Sequence, residues 1–342
     1  MKKTKQHIGL LLAALFAVGL SSCVKEDYAD SSSKGTATVN LVFDTRADTD
    51  GDGLDDDALP GEGIKTLRII IVDTDNNRVD VNEMRDFSTE TPQPILSKTL
   101  TIMGLPVGHK DFYVIANEAS VGLTDLNTPA AGYSFGDNEK TALLSRLISD
   151  SQRTYFPKTA TDIEEYGLPI AGTKTDVEIT DTEDQTITIP ITRAVAKMEL
   201  TLTNETGEDF SLSKIAFGTF FADQTYLFPD QTPALQPAYE ARTFTPNVTL
   251  TANGTGQTQT FTYYFYESNA GGKAYTIALN SDNDYAATPI MLDENTPLSS
   301  IARNTCLKVK GTINSKDVEV SLTFKVEVVP WEEIPINVPP FE

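Results

Sequence analysis

Apolar and polar residues alternate along most of this chain. In the stretch 35–44, Ala37, Val39, Leu41 and Phe43 alternate with Thr38, Asn40 and Val42, which predicts a strand with one buried face. The run 67–72 is different: Leu67, Ile69, Ile70, Ile71 and Val72 are mostly β-branched, which predicts a strand buried on both faces. Strands are expected again at 96–102 and 111–116, with Gly104 and Pro106 as punctuation between them. One stretch has helical spacing. Asp137 can cap a helix over 138–148 that carries Leu143, Leu144, Leu147 and Ile148 on one face.

Strand patterning resumes at 177–179, 186–191 and 194–203, then at 261–267, 275–280, 304–313 and 318–329. Pro190 cannot donate to a ladder, so it marks an edge or a crossing between domains. The last stretch alternates most regularly, with Val318, Val320, Leu322, Phe324, Val326 and Val328 against Glu319, Ser321, Thr323, Lys325 and Glu327. The spacing predicts a mainly all-β fold, two β-sandwich-like domains in tandem with one or two short helices. The expected boundaries are 36–185 and 186–342, after a targeting segment at 1–22 and an acidic tether at 23–35. Residues 332–342 are read as the tail of the second domain, and no repeat of fixed period is present.

Charge narrows the function. Among 342 residues, 49 Asp and Glu outweigh 27 Lys and Arg, a net charge of -22. Such a surface repels phosphate backbones, which argues against nucleic acid as a partner. There are 2 histidines, and His7 lies in the targeting segment, so any mechanism that needs a pair of them is excluded. His109 follows Gly108 in a turn signal and reads as an exposed loop residue.

The first residues read as an address. Lys2, Lys3 and Lys5 precede an apolar run at 8–20 that is short for a membrane span and ends in Leu20-Ser21-Ser22-Cys23. Small residues before a cysteine make a lipobox, so the Cys23 thiol is expected to carry lipid; the alternative is an uncleaved anchor helix. With Cys23 acylated, Cys306 has no disulfide partner, and its strand-like surroundings mark it as a buried, inert thiol.

Candidate chemistry is sparse. Asp48, Asp50 and Asp52 occupy positions one, three and five of a loop with Gly53 at six, a spacing that suits Ca²⁺. Leu54 could add a carbonyl and Asp56 a further carboxylate, but Leu59 stands where a closing Glu would be. A solvated acidic loop is the other reading, and both stay open. Ca²⁺ is the one cofactor the residues suggest. Adjacent acids such as Glu164-Glu165 and Glu332-Glu333 point to opposite faces in a strand, so they make poor acid–base pairs. The aromatics Phe210, Phe217, Phe220, Phe221, Tyr226 and Phe228 suit core packing better than a sugar-binding surface. No phosphate-cradling loop or Cys/His metal spacing exists, so nothing in the residues supports an enzyme.

Several segments together resemble a known family. Lys25-Glu26-Asp27 after the lipobox is similar to the signal that exports Bacteroidetes lipoproteins to the outer face of the outer membrane. Leu105-Pro106-Val107-Gly108 followed by Phe112-Tyr113-Val114-Ile115-Ala116-Asn117 resembles the strand-turn-strand of Bacteroidetes fimbrillins, the FimA-like type V pilins. Leu168-Pro169-Ile170-Ala171-Gly172, the segment from Ile191 to Lys197, Arg303-Asn304-Thr305 and the Pro-Trp at 330–331 follow in the family's order.

The resemblance implies a fimbrial subunit that contributes to adhesion. It is exported as a lipoprotein, and an arginine-specific protease removes its first strand. A strand from the C-terminal tail of another subunit then fills the groove. Here Arg46-Ala47 follows the first strand, which would vacate the pockets of Ala37, Val39, Leu41 and Phe43. Ile334, Ile336 and Val338 have the donor's period of two, although Pro335, Pro339 and Pro340 depart from a ladder-forming tail. The implied partners are other fimbrial subunits, the protease and the outer membrane through the lipid on Cys23. The rival readings are a monomeric, lipid-anchored binder of glycan or matrix and a tip or anchor subunit without processing.

Overall fold

Strand pairing follows the alternation closely. The computed structural model describes residues 35–45, 58–123, 125–149, 158–181, 185–231, 234–269, 273–280, 287–293, 295–314 and 323–330. Five strands come first: β1 (Thr36–Asp44), β2 (Thr66–Asp73), β3 (Arg78–Asp86), β4 (Ser97–Pro106) and β5 (Gly108–Ala116). After the helix α1 (Asp137–Leu144) come β6 (Leu147–Ser149), β7 (Lys158–Thr159), β8 (Ile170–Ile179), β9 (Gln185–Pro190) and β10 (Thr192–Arg193).

Apart from β6 and β7, these strands build two facing sheets. In one, β1 lies between β4 and β9, antiparallel to the first and parallel to the second. The other has the order β10-β8-β5-β2-β3 and is antiparallel throughout. Val39, Leu41 and Phe43 of β1 meet Ile69, Ile71, Phe112 and Val114 of the facing sheet in a first core. The reverse face of the five-stranded sheet is covered as well, where Ile70, Val72, Tyr113 and Ile115 meet Leu143, Ile148, Tyr264 and Tyr266. The 67–72 run is therefore buried on both faces, as its composition predicts.

The second half contains β11 (Val195–Asn204), β12 (Phe210–Leu212), β13 (Ile215–Ala222), β14 (Gln224–Tyr226), β15 (Tyr239–Phe244) and β16 (Val248–Leu250). It continues with β17 (Thr258–Tyr266), β18 (Ser268–Asn269), β19 (Thr276–Leu279), β20 (Thr288–Met291), β21 (Ser300–Ile301), β22 (Thr305–Ile313) and β23 (Thr323–Pro330). A nine-stranded sheet runs β15-β13-β19-β20-β23-β22-β11-β17-β7. It wraps its own core, in which Met198, Leu200 and Leu202 of β11 meet Phe217, Phe221, Ile277 and Val309.

Four expectations change on the structure. The helix stops at Leu144, and Gly136 rather than Asp137 occupies its N-cap. Leu147 and Ile148 instead pair with β14, where Ile148 is fully buried. Gly104 does not end a strand. β4 runs through it to Pro106, and the β1–β4 register slips between Ala37 and Val39, so Gly104, at φ 72°, sits in a bulge. His109 lies in β5, not in a loop, with its ring nitrogen 2.8 Å from Asp176. At the expected 185/186 division, β9 still pairs with β1 and β10 with β8, so the first half's sheets continue through Arg193.

Candidate functional site

β1 fills its groove with the residues the alternation marks. Val39, Leu41 and Phe43 are fully buried and Ala37 nearly so, whereas the intervening Asn40 and Val42 are half-buried. Burying each Val, Leu or Phe side chain stabilises by about 1.5–3 kcal/mol, so β1 contributes several kcal/mol to the first core. Its backbone is paired along both edges, Leu41 facing Leu100 of β4 and Ile187 of β9. Among the described residues β4 and β9 have no other ladder partner, so each depends on β1 for its pairing. Gly172 of β8 holds the far wall close: a Cβ there would lie 2.0 Å from the Pro190 carbonyl oxygen.

The C-terminal end of β1 runs into a buried polar junction. Thr45 donates from its N–H and its hydroxyl to the Leu96 carbonyl at 3.1 and 3.0 Å. The Arg193 guanidinium, 1% exposed, donates to the carbonyls of Thr45 and Glu62 and to Asn304 Oδ1 over 3.3–3.5 Å. Glu62 is itself buried and pairs with Lys197 Nζ at 3.0 Å while accepting from the Tyr264 hydroxyl. Burial pushes the Tyr264 phenol up, and the Glu62 carboxylate adds to it. For Lys197 burial works against the charge, but Glu62 and Glu199 outweigh it and hold the ammonium above the ordinary lysine value. One arginine thus joins the end of β1, the turn carrying Glu62 and the approach to β22.

The expected site residues fall into two groups. Ala37, Val39, Leu41 and Phe43 come together in the groove. Cys23, Arg46, Ala47, the acidic loop residues Asp48, Asp50, Asp52, Leu54 and Asp56, and the tail residues Ile334, Ile336 and Val338 lie outside the described residues. Sequence reasoning missed Glu62, which sits in a turn between Gly61 and Gly63 with no periodicity to mark it.

Other candidates resolve into packing. Phe210, Phe217, Phe221 and Phe228 are buried, and Phe217 meets Phe221 edge-on at 5.4 Å, so these four are core and not a sugar surface. Glu164 and Glu165 are both exposed. Cys306 is buried beside Leu307, and burial pushes its thiol up to about 12, which makes it a poor nucleophile. Among the described residues no cluster of three or more His, Cys, Asp or Glu could hold a metal, and no helix is long and apolar enough to cross a membrane.

Comparison with known proteins agrees with this architecture. No curated protein matches the sequence. Among solved structures, the C-terminally truncated tip fimbrial protein Mfa3 of Porphyromonas gingivalis superposes with a TM-score of 0.54 at 14% identity. That match covers 86% of this chain and 100% of the other. The fimbrilin FimA of Porphyromonas gingivalis W83 gives a TM-score of 0.54 at 14% identity, covering 87% and 98% of the two chains. A fimbrial assembly protein from Parabacteroides distasonis gives 0.51 at 16% identity, covering 86% and 98%. These likenesses establish a fimbrillin fold. Residues 30–337 match the model of the fimbrillin-A associated anchor proteins Mfa1 and Mfa2, and the chain belongs to that family.

Proposed function

We propose that this chain is a fimbrial subunit exported as a lipoprotein, acylated on Cys23 and held at the surface of the outer membrane. In this reading an arginine-specific protease cuts after Arg46, β1 departs, and a strand from another subunit takes its place. The observation that carries the reading is the position of β1. It is central in its sheet, it fills apolar pockets with every second residue, and a single covalent link after Thr45 joins it to all other described strands. Its loss would leave unpaired N–H and C=O groups on β4 and β9 and a row of empty pockets, which is what an added strand needs. The donor is the tail of a neighbouring subunit, with Ile334, Ile336 and Val338 entering the pockets. Its prolines remove backbone donors, so apolar contacts carry more of the binding than the ladder.

The family match favours a second reading alongside this one, in which the chain anchors or tips the fimbria, keeps its lipid and accepts a strand without giving one. The loop 48–57 binds Ca²⁺ weakly in either case. The experiment is to identify the N-terminus and mass of the protein recovered from the cell surface. Ala47 supports processing and exchange, whereas acylated Cys23 supports an unprocessed anchor. An Arg46→Ala protein that assembles into normal fimbriae would refute the exchange reading.

A further inference from the structure

One end of the first core holds a lysine against two carboxylates that strand exchange does not use. Lys110 of β5 and Asp73 of β2 are directly opposite in the antiparallel ladder, two residues from the opposed pair Phe112 and Ile71. With a period of two, the four side chains share one face. The register of β2 with β3 slips between Ile71 and Val72, which leaves Asp80 unmatched in the ladder. Lys110 Nζ lies 2.7 Å from Asp73 Oδ2 and 2.7 Å from Asp80 Oδ2, and side-chain exposures are 0% for Lys110, 2% for Asp73 and 15% for Asp80. The contact with Asp73 is an aligned hydrogen bond. The one with Asp80 is not, and that buried oxygen accepts no hydrogen bond. Asp73 Oδ1 in turn accepts the backbone N–H groups of Asp75 at 3.0 Å and Asn76 at 3.2 Å.

We propose that Lys110 and Asp73 condense into an intramolecular amide, with Asp80 carrying the protons. Asp80 takes one proton from the ammonium and passes it to Asp73 Oδ2. The free amine attacks Cγ, and the charge that develops on Oδ1 falls between the two N–H donors already aimed at it. The nitrogen's second proton reaches Oδ2 by the same carrier, the Cγ–Oδ2 bond breaks, and Oδ2 leaves as water. In sum an ammonium and a carboxylate become an amide and one water, Asp80 is unchanged, and no oxidant or co-reactant is needed. Two features favour the step. Fixed groups in contact reach effective molarities of about 10⁵–10⁸ M. The product also removes two charges from a buried site where holding them is costly. The bond would close the chain between Asp73 and Lys110 into a loop containing β3 and β4, so the groove wall formed by β4 could not be pulled away. This holds whether or not β1 is exchanged.

The test is a tryptic map of the denatured full-length protein. Trypsin cuts after Arg68, Arg78, Arg85, Lys98 and Lys140, so Asp73 and Asp80 fall in different peptides, 69–78 and 79–85. The expected product is 69–78 joined through Lys110 to 99–140, lighter than the two by one water, with free 69–78 nearly absent. Recovery of free 69–78 in full yield from folded protein would overturn the proposal, and so would a link to 79–85. Lys110→Arg should abolish the linked peptide. Asp80→Asn should slow its appearance after refolding by about 10²-fold or more, and a wild-type rate in that variant would remove Asp80 from the step. If Asp80→Asn does not fold, the wild-type map still decides.

Discussion

β1 and β11 are held alike and differ in what their loss would do. Each has an antiparallel neighbour on one side and a parallel one on the other, β4 and β9 for the first strand, β17 and β22 for the second. Each buries alternate side chains completely, Val39, Leu41 and Phe43 in one, Met198, Leu200 and Leu202 in the other. β11, however, sits inside a nine-stranded sheet and is continuous with strands before and after it. β1 completes a sheet of three and is tied to the other described strands at one end. The two strands are alike in burial, and what separates them is how they are connected to the other described strands.

The sharpest way to break this comparison is a matched pair of cavities. Leu41→Ala and Leu200→Ala should each destabilise the uncut chain by about 2–5 kcal/mol. After cleavage at Arg46 and release of the first strand, the Leu41 deficit should vanish while the Leu200 deficit remains, as read by denaturant unfolding of both forms. A Leu41 deficit that survives the cut would mean that β1 stays in its groove.

The polar junction gives a smaller effect of the same kind. Arg193→Met leaves the buried carbonyls of Thr45 and Glu62 without their donor and should cost about 1–3 kcal/mol in the uncut chain. If cleavage at Arg46 releases β1, Thr45 leaves with it, and the loss should shrink in the cut protein. An equal loss before and after cleavage would show that Arg193 serves the second half alone.

Much of this contrast was legible in the sequence, and the missing parts have physical reasons. The alternation at 35–44 identified the groove side chains, since a strand with one buried face needs nothing beyond its own period. The 67–72 run shows its burial in the sequence, because β-branched residues on both parities leave no solvent face. Leu147 and Ile148 misled, because two apolar residues at a helix end look the same as two in a short strand until the partner β14, far along the chain, is known. Lys110, Asp73 and Asp80 were invisible for a related reason. Charges at strand ends read as solvated, and only the pairing of three strands reveals that they face one another in the core. Glu62 and its partners Lys197 and Tyr264 are likewise joined by tertiary packing alone.

The acidic stretch 48–57, which follows β1 in the sequence, sharpens the comparison further. With several carboxylates and no closing Glu, its Ca²⁺ affinity should be on the order of 10⁻⁴–10⁻³ M. At 1 mM Ca²⁺ that gives about 0.4–1.4 kcal/mol of added stability. Calorimetry should show binding heat that the double change Asp50→Ala, Asp52→Ala removes. No heat in the unaltered protein would leave a solvated loop.

The smallest effect concerns the neighbours of β11. Glu267 follows β17, and Arg303 precedes β22; the guanidinium donates to Glu267 Oε1, and Thr225 donates to the same oxygen. Burial pushes the Glu267 carboxyl up, but the contacts with Arg303 and Thr225 more than reverse this and hold it below the usual carboxylate value. A carboxyl depressed in the folded state adds stability that is fully present above its unfolded value, about 4.3, and is lost as pH falls through its lower folded value. Glu267 is 40% exposed, so solvent screens the pair and its worth should stay below about 1 kcal/mol. Arg303→Met should accordingly lower stability at neutral pH by a little, and the gap to the unaltered protein should narrow as pH falls below that unfolded value. The same acid titration should leave the apolar Leu41→Ala deficit unchanged, because no titrating side chain is removed with it. A gap for Arg303→Met that is independent of pH would assign the residue's contribution to its contacts with the Leu227 and Tyr226 carbonyls and not to the ion pair.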